Sequence, residues 1–280
     1  MKKWLCLFVL LLLLGCESVQ PKPEVSIDVQ KKAEAAKNNT KINVAKDQIY
    51  KGNLVLVNKE YPVHPGSVEP DIVRLAQHKE LVTGFGLLDN TIQLPRSVVQ
   101  SFITMIQAAG KDGVNHFMIS SGYRDDAEQR KLYKEMGADY ALPAGHSEHN
   151  LGLSLDIGST LKEMNQAPEG AWLKKNAWKY GFILRYPKDK TAITGIQYEP
   201  WHFRYVGLPH SGIMEDNDFT LEEYLDYLKE QKSILVKVDG KQYEILYEPV
   251  SRSATIQVPA NRRYKISGNN IDGVIVTVQL

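Results

Sequence analysis

The stretch "HSEHNLGLSLDIG", His146 to Gly158, decides how this chain is read. In an extended backbone successive side chains point to opposite faces, so Leu151, Leu153, Leu155 and Ile157 share one side while Gly152, Ser154 and Asp156 share the other. The leucine side is core. The opposite side carries small residues and ends in a carboxylate, which leaves room for something bulky to lie along it. His149 stands in the polar turn just before, where parity does not set its direction, and it can swing to the side of Asp156. Imidazole nitrogen and carboxylate oxygen are both zinc donors at about 2.1 Å. Taken alone, His149 and Asp156 leave two readings open: a metal site, or a polar turn leading into an ordinary core strand.

A second stretch, "YEPWHFRYVG" from Tyr198 to Gly207, bears on that choice. It places Glu199 three residues before His202 among aromatics suited to a strand. In a straight strand these two would face opposite ways, but Pro200 removes a ladder donor and favours a bulge or bend that can aim both at one point. His202 would then be a third ligand and Glu199 an unbound carboxylate beside it. Three protein ligands with one position open is the catalytic arrangement of zinc. The other reading of this stretch is a buried aromatic strand with a satisfied histidine.

Together Ser147-x-His149-x-x-Gly152-x-Ser154-x-Asp156 and Glu199-Pro200-Trp201-His202 resemble the signature of the VanY-type D-alanyl-D-alanine carboxypeptidases, a family that includes the LdcB-type L,D-carboxypeptidases. The resemblance runs from about Lys46 to about Gln231. It implies that His149, Asp156 and His202 bind zinc, that Glu199 is the catalytic base, and that the substrate is the D-alanine end of a peptidoglycan stem peptide. It also implies that Arg124, Gln129 and Ser147 hold the terminal carboxylate and that Tyr186 lines the groove. Arg124 and Gln129 lie in "SGYRDDAEQ", where a strand runs into a helix; a guanidinium grips a carboxylate at two points, and a helix N-terminus favours anions. Arg124 could instead pair with Asp125 or Asp126, and Tyr186 could be a core tyrosine. One departure is visible: the family usually carries alanine where Ser154 stands, and a hydroxyl beside Asp156 could alter what surrounds the ligands. Cleavage of D,D and of L,D bonds is not separated by these residues. Other readings of the same set are a D-Ala-D-Ala dipeptidase, an endopeptidase, or a non-catalytic zinc protein that recognises cell wall.

Around the two motifs the chain divides into four stretches. Residues 1–15 begin with Lys2 and Lys3, continue as an uncharged apolar run and close on Leu13-Leu14-Gly15 before Cys16, the layout of an export signal. The run is too short to span a bilayer, which takes roughly 20 residues. The tripeptide before Cys16 resembles a bacterial lipobox, implying cleavage there, a lipid on Cys16 and a location outside the cell membrane but anchored to it. Residues 16–48 are rich in Lys, Asn, Ala, Gln and Pro and read as a flexible tether. Residues 49–232 form the peptidase domain, and residues 233–280 a small β appendage. Cys6 and Cys16 are the chain's 2 cysteines, so the mature chain has no disulfide and no thiol nucleophile. Removing residues 1–15 takes two of the 34 basic residues and none of the 33 acidic ones, so nothing in the charge balance supports nucleic-acid binding. No protein partner is indicated.

The expected fold is α+β: an antiparallel sheet with packed helices, the zinc site on the sheet face, and an all-β C-terminal appendage. "NLVLVNKEYPV" reads as the first strand. Val98, Val99, Phe102, Ile103, Ile106 and Ala109 recur at helical spacing, with Lys111 and Gly113 as stop signals. Asp125 with Glu128 and Thr220 with Glu223 form capping boxes, and Pro168 and Gly181 bracket a further helix. In "SILVKVDGKQYEILYEP" the Asp239-Gly240 pair marks a hairpin. His64, His78, His116 and His210 have no motif around them and read as structural. His146 would close the site if it were a ligand, so it belongs beside the site or at the surface. Trp201 and Phe203 read as core or pocket wall.

Overall fold

Two strands come from the part of the chain expected to be a tether. The computed structural model describes residues 25–28 and 39–280, and within these β1 (Val25–Asp28) and β2 (Asn39–Ala45) are strands. Lys41, Ile42, Asn43 and Val44 alternate polar and apolar, and Val44 is buried, so the lysine-rich composition of the segment hid a strand period. Residues 1–24, including Cys16 and the export signal, lie outside the described residues. No helix among the described residues is long and apolar enough to cross a membrane.

The middle part of the chain follows in order as β3 (Ile72–Arg74), β4 (Gly86–Leu87), β5 (Gln93–Pro95), α1 (Arg96–Lys111), β6 (Phe117–Ser121), α2 (Asp126–Met136), β7 (Ser154–Ser159), α3 (Pro168–Asn176), β8 (Phe182–Leu184), α4 (Thr191–Thr194), β9 (His202–Tyr205), α5 (His210–Asn217) and α6 (Leu221–Gln231). Its main sheet has the order β4-β6-β7-β9-β8, antiparallel except for the parallel β4–β6 pair. On one side Leu153, Leu155, Ile157 and Phe203 pack with Phe102, Ile106, Phe117 and Phe182, so α1 covers the sheet with its apolar face. Each such side chain contributes about 1.5–3 kcal/mol by leaving water. The other side of β7 is left for polar groups.

The C-terminal strands β10 (Ser233–Val238), β11 (Lys241–Pro249), β12 (Ser253–Pro259), β13 (Tyr264–Gly268) and β14 (Gly273–Gln279) form two antiparallel sheets, β1-β10-β11-β14-β13 and β12-β2. Asp239 and Gly240 both have positive φ, 49° and 74°, as a two-residue hairpin turn requires. Ile234, Val236, Val238, Ile245 and Ile275 share one core with Leu221, Leu225 and Leu228 of α6 and Ile213 of α5. Val274, Val276 and Val278 turn the opposite way, onto Ile256 and Val258 of β12. β14 is thus buried on both faces.

"NLVLVNKEYPV" is not a strand, and the reason lies in its position. Val55 and Val57 enter the core of the β4-β6-β7-β9-β8 sheet while Leu54 and Leu56 enter the core beneath α6, so the segment is threaded between two apolar layers. A fully buried backbone must still pair its carbonyls. Here side chains do so: Arg204 Nη2 donates to Asn53 O and Val55 O, both at 2.9 Å, and Asn270 Nδ2 donates to Leu56 O at 2.8 Å.

Candidate active site

The strand carrying Asp156 starts later than parity suggested. Glu148–Leu151 form a 3-10 turn that Ser147 caps, its hydroxyl accepting from His149 N at 3.3 Å. Gly152 closes the turn with φ 82°, and a Cβ there would lie 2.9 Å from Pro95 Cγ, so only glycine serves on both counts. β7 therefore begins at Ser154. Leu151 reaches the core from the turn, and Leu153, Leu155 and Ile157 follow as alternation requires.

In the turn, His149 is buried and its Nδ1 donates to Gly122 O at 2.6 Å. A carbonyl only accepts, so the proton sits on Nδ1 and Nε2 is bare. The bend at Pro200 is a turn placed ahead of the strand: His202 N donates to Glu199 O at 3.4 Å and β9 begins at His202. Antiparallel register then sets Asp156 opposite His202 and Ser154 opposite Arg204. Residues 53 apart in the chain now face each other, with His149 Nε2 to His202 Nδ1 at 3.2 Å. Asp156 Oδ1 is 3.2 Å from His202 Nδ1 and 3.4 Å from His149 Nε2.

These three atoms make a nearly equilateral triangle. Donors each about 2.0–2.1 Å from one ion in a tetrahedron stand roughly 3.3–3.4 Å apart, so the triangle has the size of one face of a zinc tetrahedron. A second observation agrees with this. Asp156 Oδ1 and His202 Nε2 are buried with no hydrogen-bond partner, and such atoms are rare unless a bound group completes them. Among the described residues, His149, Asp156 and His202 are the cluster of acids and imidazoles that could hold a metal ion. Donor type, spacing and orphaned oxygen all fit zinc.

Charge is distributed unevenly around the triangle. Burial, helped by Arg124, lowers the His149 imidazole to about 4, so it stays neutral as a ligand must. For His202 burial acts downward but is outweighed by Asp156 and Glu148, which flank its two nitrogens and push it up to about 9. Asp156 lies well below the usual carboxylate range, because the two histidines outweigh the cost of burying it. Glu199 is different. Burial, seconded by Asp156, pushes its carboxyl up to about 7, against the pull of His202, and its Oε2 is 3.7 Å from His202 Nδ1. A carboxyl at the rim of the triangle that burial holds above the usual carboxylate range, with no hydrogen bond among the described residues to tie it down, is placed for proton transfer.

Arg124 pairs with neither Asp125 nor Asp126. Its Nε donates to Ser121 Oγ at 2.9 Å, Nη1 to Gln129 Oε1 at 2.8 Å and Nη2 to Asp156 Oδ2 at 3.1 Å. Asp125 is occupied as the cap of α2, in the box with Glu128. Gln129 is buried and donates its amide to Leu142 O at 2.7 Å, so its contact with Arg124 is held from behind. Arg124, Gln129, Ser147, Tyr186 and Glu199 all border one cavity of about 210 Å³ together with the triangle, and Trp201 forms part of its wall. Phe203 is core. His146 stands apart, with Nδ1 on Asn58 O at 2.8 Å. His210 is buried between Tyr224 and Thr277. Three buried residues beside the site escaped the sequence reading: Glu148, Arg185 and Arg204. Parity could have found Arg204, two residues beyond His202 on the same strand face.

Fold and donor set define a class: a protein with a site for a single metal ion on the polar face of a mainly antiparallel sheet, and an unliganded carboxyl beside it. The family model for VanY-type D-alanyl-D-alanine carboxypeptidases matches residues 91–208. A D-alanyl-D-alanine carboxypeptidase of Enterococcus faecium is 61% identical over 243 residues, covering 87% of this chain and 80% of that protein. Among solved structures, the vancomycin-resistance D,D-dipeptidase VanXYg in complex with a D-Ala-D-Ala phosphinate analog matches with a TM-score of 0.76 at 35% identity, over 87% of this chain and 100% of the other. A variant of the D,D-pentapeptidase VanY in complex with Zn(II) matches with a TM-score of 0.51 at 31% identity, over 62% of this chain and 98% of the other. The chain belongs to the VanY family of D-alanyl-D-alanine carboxypeptidases.

Proposed function

We propose that this protein is a zinc-dependent carboxypeptidase that removes the terminal D-alanine from peptidoglycan stem peptides, and that peptides ending in D-alanyl-D-alanine are its first substrate. The triangle of His149 Nε2, His202 Nδ1 and Asp156 Oδ1, sized for one ion and carrying an orphaned oxygen, is the observation on which the reading rests. When bound there, zinc supplies Lewis-acid polarisation of a carbonyl and acidifies water at its open position. Glu199 is the base. Its carboxylate takes a proton from the attacking water and passes it to the nitrogen of the departing D-alanine as the peptide bond breaks, so no covalent intermediate with the protein is needed. Arg124, pinned by Ser121, Gln129 and Asp156, is in place to grip the substrate's terminal carboxylate with its remaining N–H groups. Gln129 holds the guanidinium in that pose, Ser147 offers a hydroxyl on the same wall, and Tyr186 lies against His202 with ring centroids 4.8 Å apart.

Cys16 would carry the lipid that keeps the enzyme at the outer side of the membrane, within reach of wall substrate. Replacing Cys16 by serine should then shift the protein from the membrane fraction to the medium.

Release of D-alanine from tetrapeptide and pentapeptide muropeptides, compared before chelation, after it and after zinc is restored, tests the activity. Activity on pentapeptides that disappears and returns with zinc supports the reading. Zinc uptake without any release would favour a recognition protein instead. A second activity is favoured by one observation. The likeness to the VanXYg D,D-dipeptidase covers more of the chain than the peptidase part alone contains, so it takes in the C-terminal sheets. Free D-Ala-D-Ala therefore belongs in the same assay. An endopeptidase would show itself by Arg124→Ala sparing cleavage of an internal bond.

A further inference from the structure

Behind His202, on the side away from the triangle, lies a buried carboxylate to which neither the motifs nor the mechanism above gives a task. We propose that Glu148 is a positioning residue for His202: it holds the Nε2–H of the imidazole so that Nδ1 stays aimed into the donor triangle. The inference rests on the zinc reading above.

Three observations carry it. His202 Nε2 is buried and makes no hydrogen bond, while Glu148 Oε2 faces it at 3.5 Å, the outer edge of hydrogen-bonding reach. Secondly, the two oxygens of Glu148 are used differently. Oε1 accepts from two guanidinium groups, Arg185 Nε at 2.8 Å and Arg204 Nη1 at 2.7 Å, which saturate it. Oε2 accepts only from Ser154 Oγ, at 3.0 Å, and has capacity for one more donor on the side where His202 stands. Thirdly, the carboxylate cannot turn away. Arg185 is itself clamped by Glu222 of α6, whose two oxygens take its Nη1 and Nη2 at 2.9 and 2.7 Å, and Arg204 is fixed by backbone carbonyls on its far side.

Burying a carboxylate is costly, and a single structural ion pair would not need a second guanidinium and a hydroxyl on top of it. The arrangement does suit a metal-binding imidazole. A carboxylate on the far nitrogen fixes the tautomer and ring direction and makes the near nitrogen a stronger donor. Ser154, where the family usually carries alanine, joins this arrangement: its hydroxyl bonds Oε2 and helps set the direction of that oxygen. Glu148 itself does not touch the cavity, so it acts only through His202.

The test uses the full chain loaded with zinc. Nitrogen-15 spectra of the histidine rings should show His202 protonated at Nε2, with a downfield proton that exchanges slowly with water. Zinc affinity, measured by competition with a chelator, should fall about 10- to 100-fold in Glu148→Gln. Glu222→Gln weakens the same charge network further out and should lower Tm while leaving zinc affinity within about twofold, because Arg204 and Ser154 still hold Glu148 and Glu222 does not face the imidazole. A His202 ring protonated at Nδ1, or an Nε2 proton in fast exchange, overturns the inference; so does zinc affinity that is unchanged in Glu148→Gln, or that falls in both variants in step with Tm. The ring spectra of the unaltered chain decide the matter even where Glu148→Gln does not fold. A chain that takes up no zinc would overturn the metal reading and this inference with it, whereas the other adverse results leave the metal reading standing.

Discussion

Two polar clusters lie on either side of the His202 ring, and they are built on opposite plans. In front, His149, Asp156, His202 and Glu199 crowd together with Asp156 Oδ1 unpartnered and Glu199 pushed up to about 7. Behind, Glu148, Arg185, Arg204 and Glu222 balance two acids against two guanidiniums, and each charged group finds partners at 2.7–2.9 Å. Both are buried, and both look like ion-pair networks if only charges are counted. Atom-by-atom satisfaction separates them: the front cluster is incomplete without something added, while in the rear one each guanidinium is met by carboxylates and only the Glu148 oxygen facing His202 has room for a further donor. Removing a side chain from the front should therefore damage chemistry, and removing one from the rear should damage folding, with Glu148, which faces His202, touching both.

The sharpest way to break that contrast is Glu199→Gln. Its kcat should fall about 100- to 10,000-fold while zinc content and Tm stay close to the parent, since His202, 3.7 Å from that carboxylate, keeps Asp156 and Glu148 as closer charge partners. A drop in Tm as large as the drop in rate would mean that the front cluster is structural after all. Arg204→Met asks the converse. It leaves Glu148 with one guanidinium and strips the donors from Asn53 O and Val55 O, so chemical denaturation should show a loss of about 3–5 kcal/mol. Near-wild-type unfolding would show the rear network to be dispensable.

Arg124 bridges the two plans, being held like a structural residue and exposed to the cavity like a functional one. Arg124→Lys keeps the charge but loses the fork, and kcat/KM on pentapeptides should fall about 10- to 100-fold, mainly through KM, with Tm little changed. Steady-state kinetics over a range of peptide concentrations would separate this from a loss in kcat alone. The smallest effect is expected far from the site. His210, between Tyr224 Oη at 2.8 Å and Thr277 Oγ1 at 2.9 Å, is lowered to about 3 by burial, with Lys265 adding to it. As pH falls below about 6.5 the unfolded chain binds this proton and the folded chain does not. Stability is thus complete above that pH and drains away as pH drops toward 3. Between pH 6 and pH 5 the parent should lose on the order of a few degrees more in Tm than His210→Gln, by scanning calorimetry; equal losses would remove His210 from the account.

Much of this was open to view in the residue order, because it depends on near neighbours. Helix α1, the capping boxes at Asp125 and Thr220 and the Asp239-Gly240 hairpin all rest on interactions within a few residues, and the structure has each of them. The candidate ligands stood in two short motifs, His149 with Asp156 and Glu199 with His202, but those residues alone left a structural reading open, and it was their resemblance to the VanY-type signature that implied a ligand set. Tertiary structure decided what lies between distant segments. Only the β7–β9 register could show that Asp156 and His202 meet, and only the packing of Leu54–Val57 between two cores could turn an apparent strand into a threaded segment pinned by Arg204. Glu148 makes the same point: in the chain it is one more polar residue in a turn, and its surroundings come from Ser154, Arg185, Arg204 and His202, at separations that no local period encodes. Backbone geometry repeats over a few residues and so leaves its mark in sequence. The field around a buried charge is set by whatever the fold brings beside it.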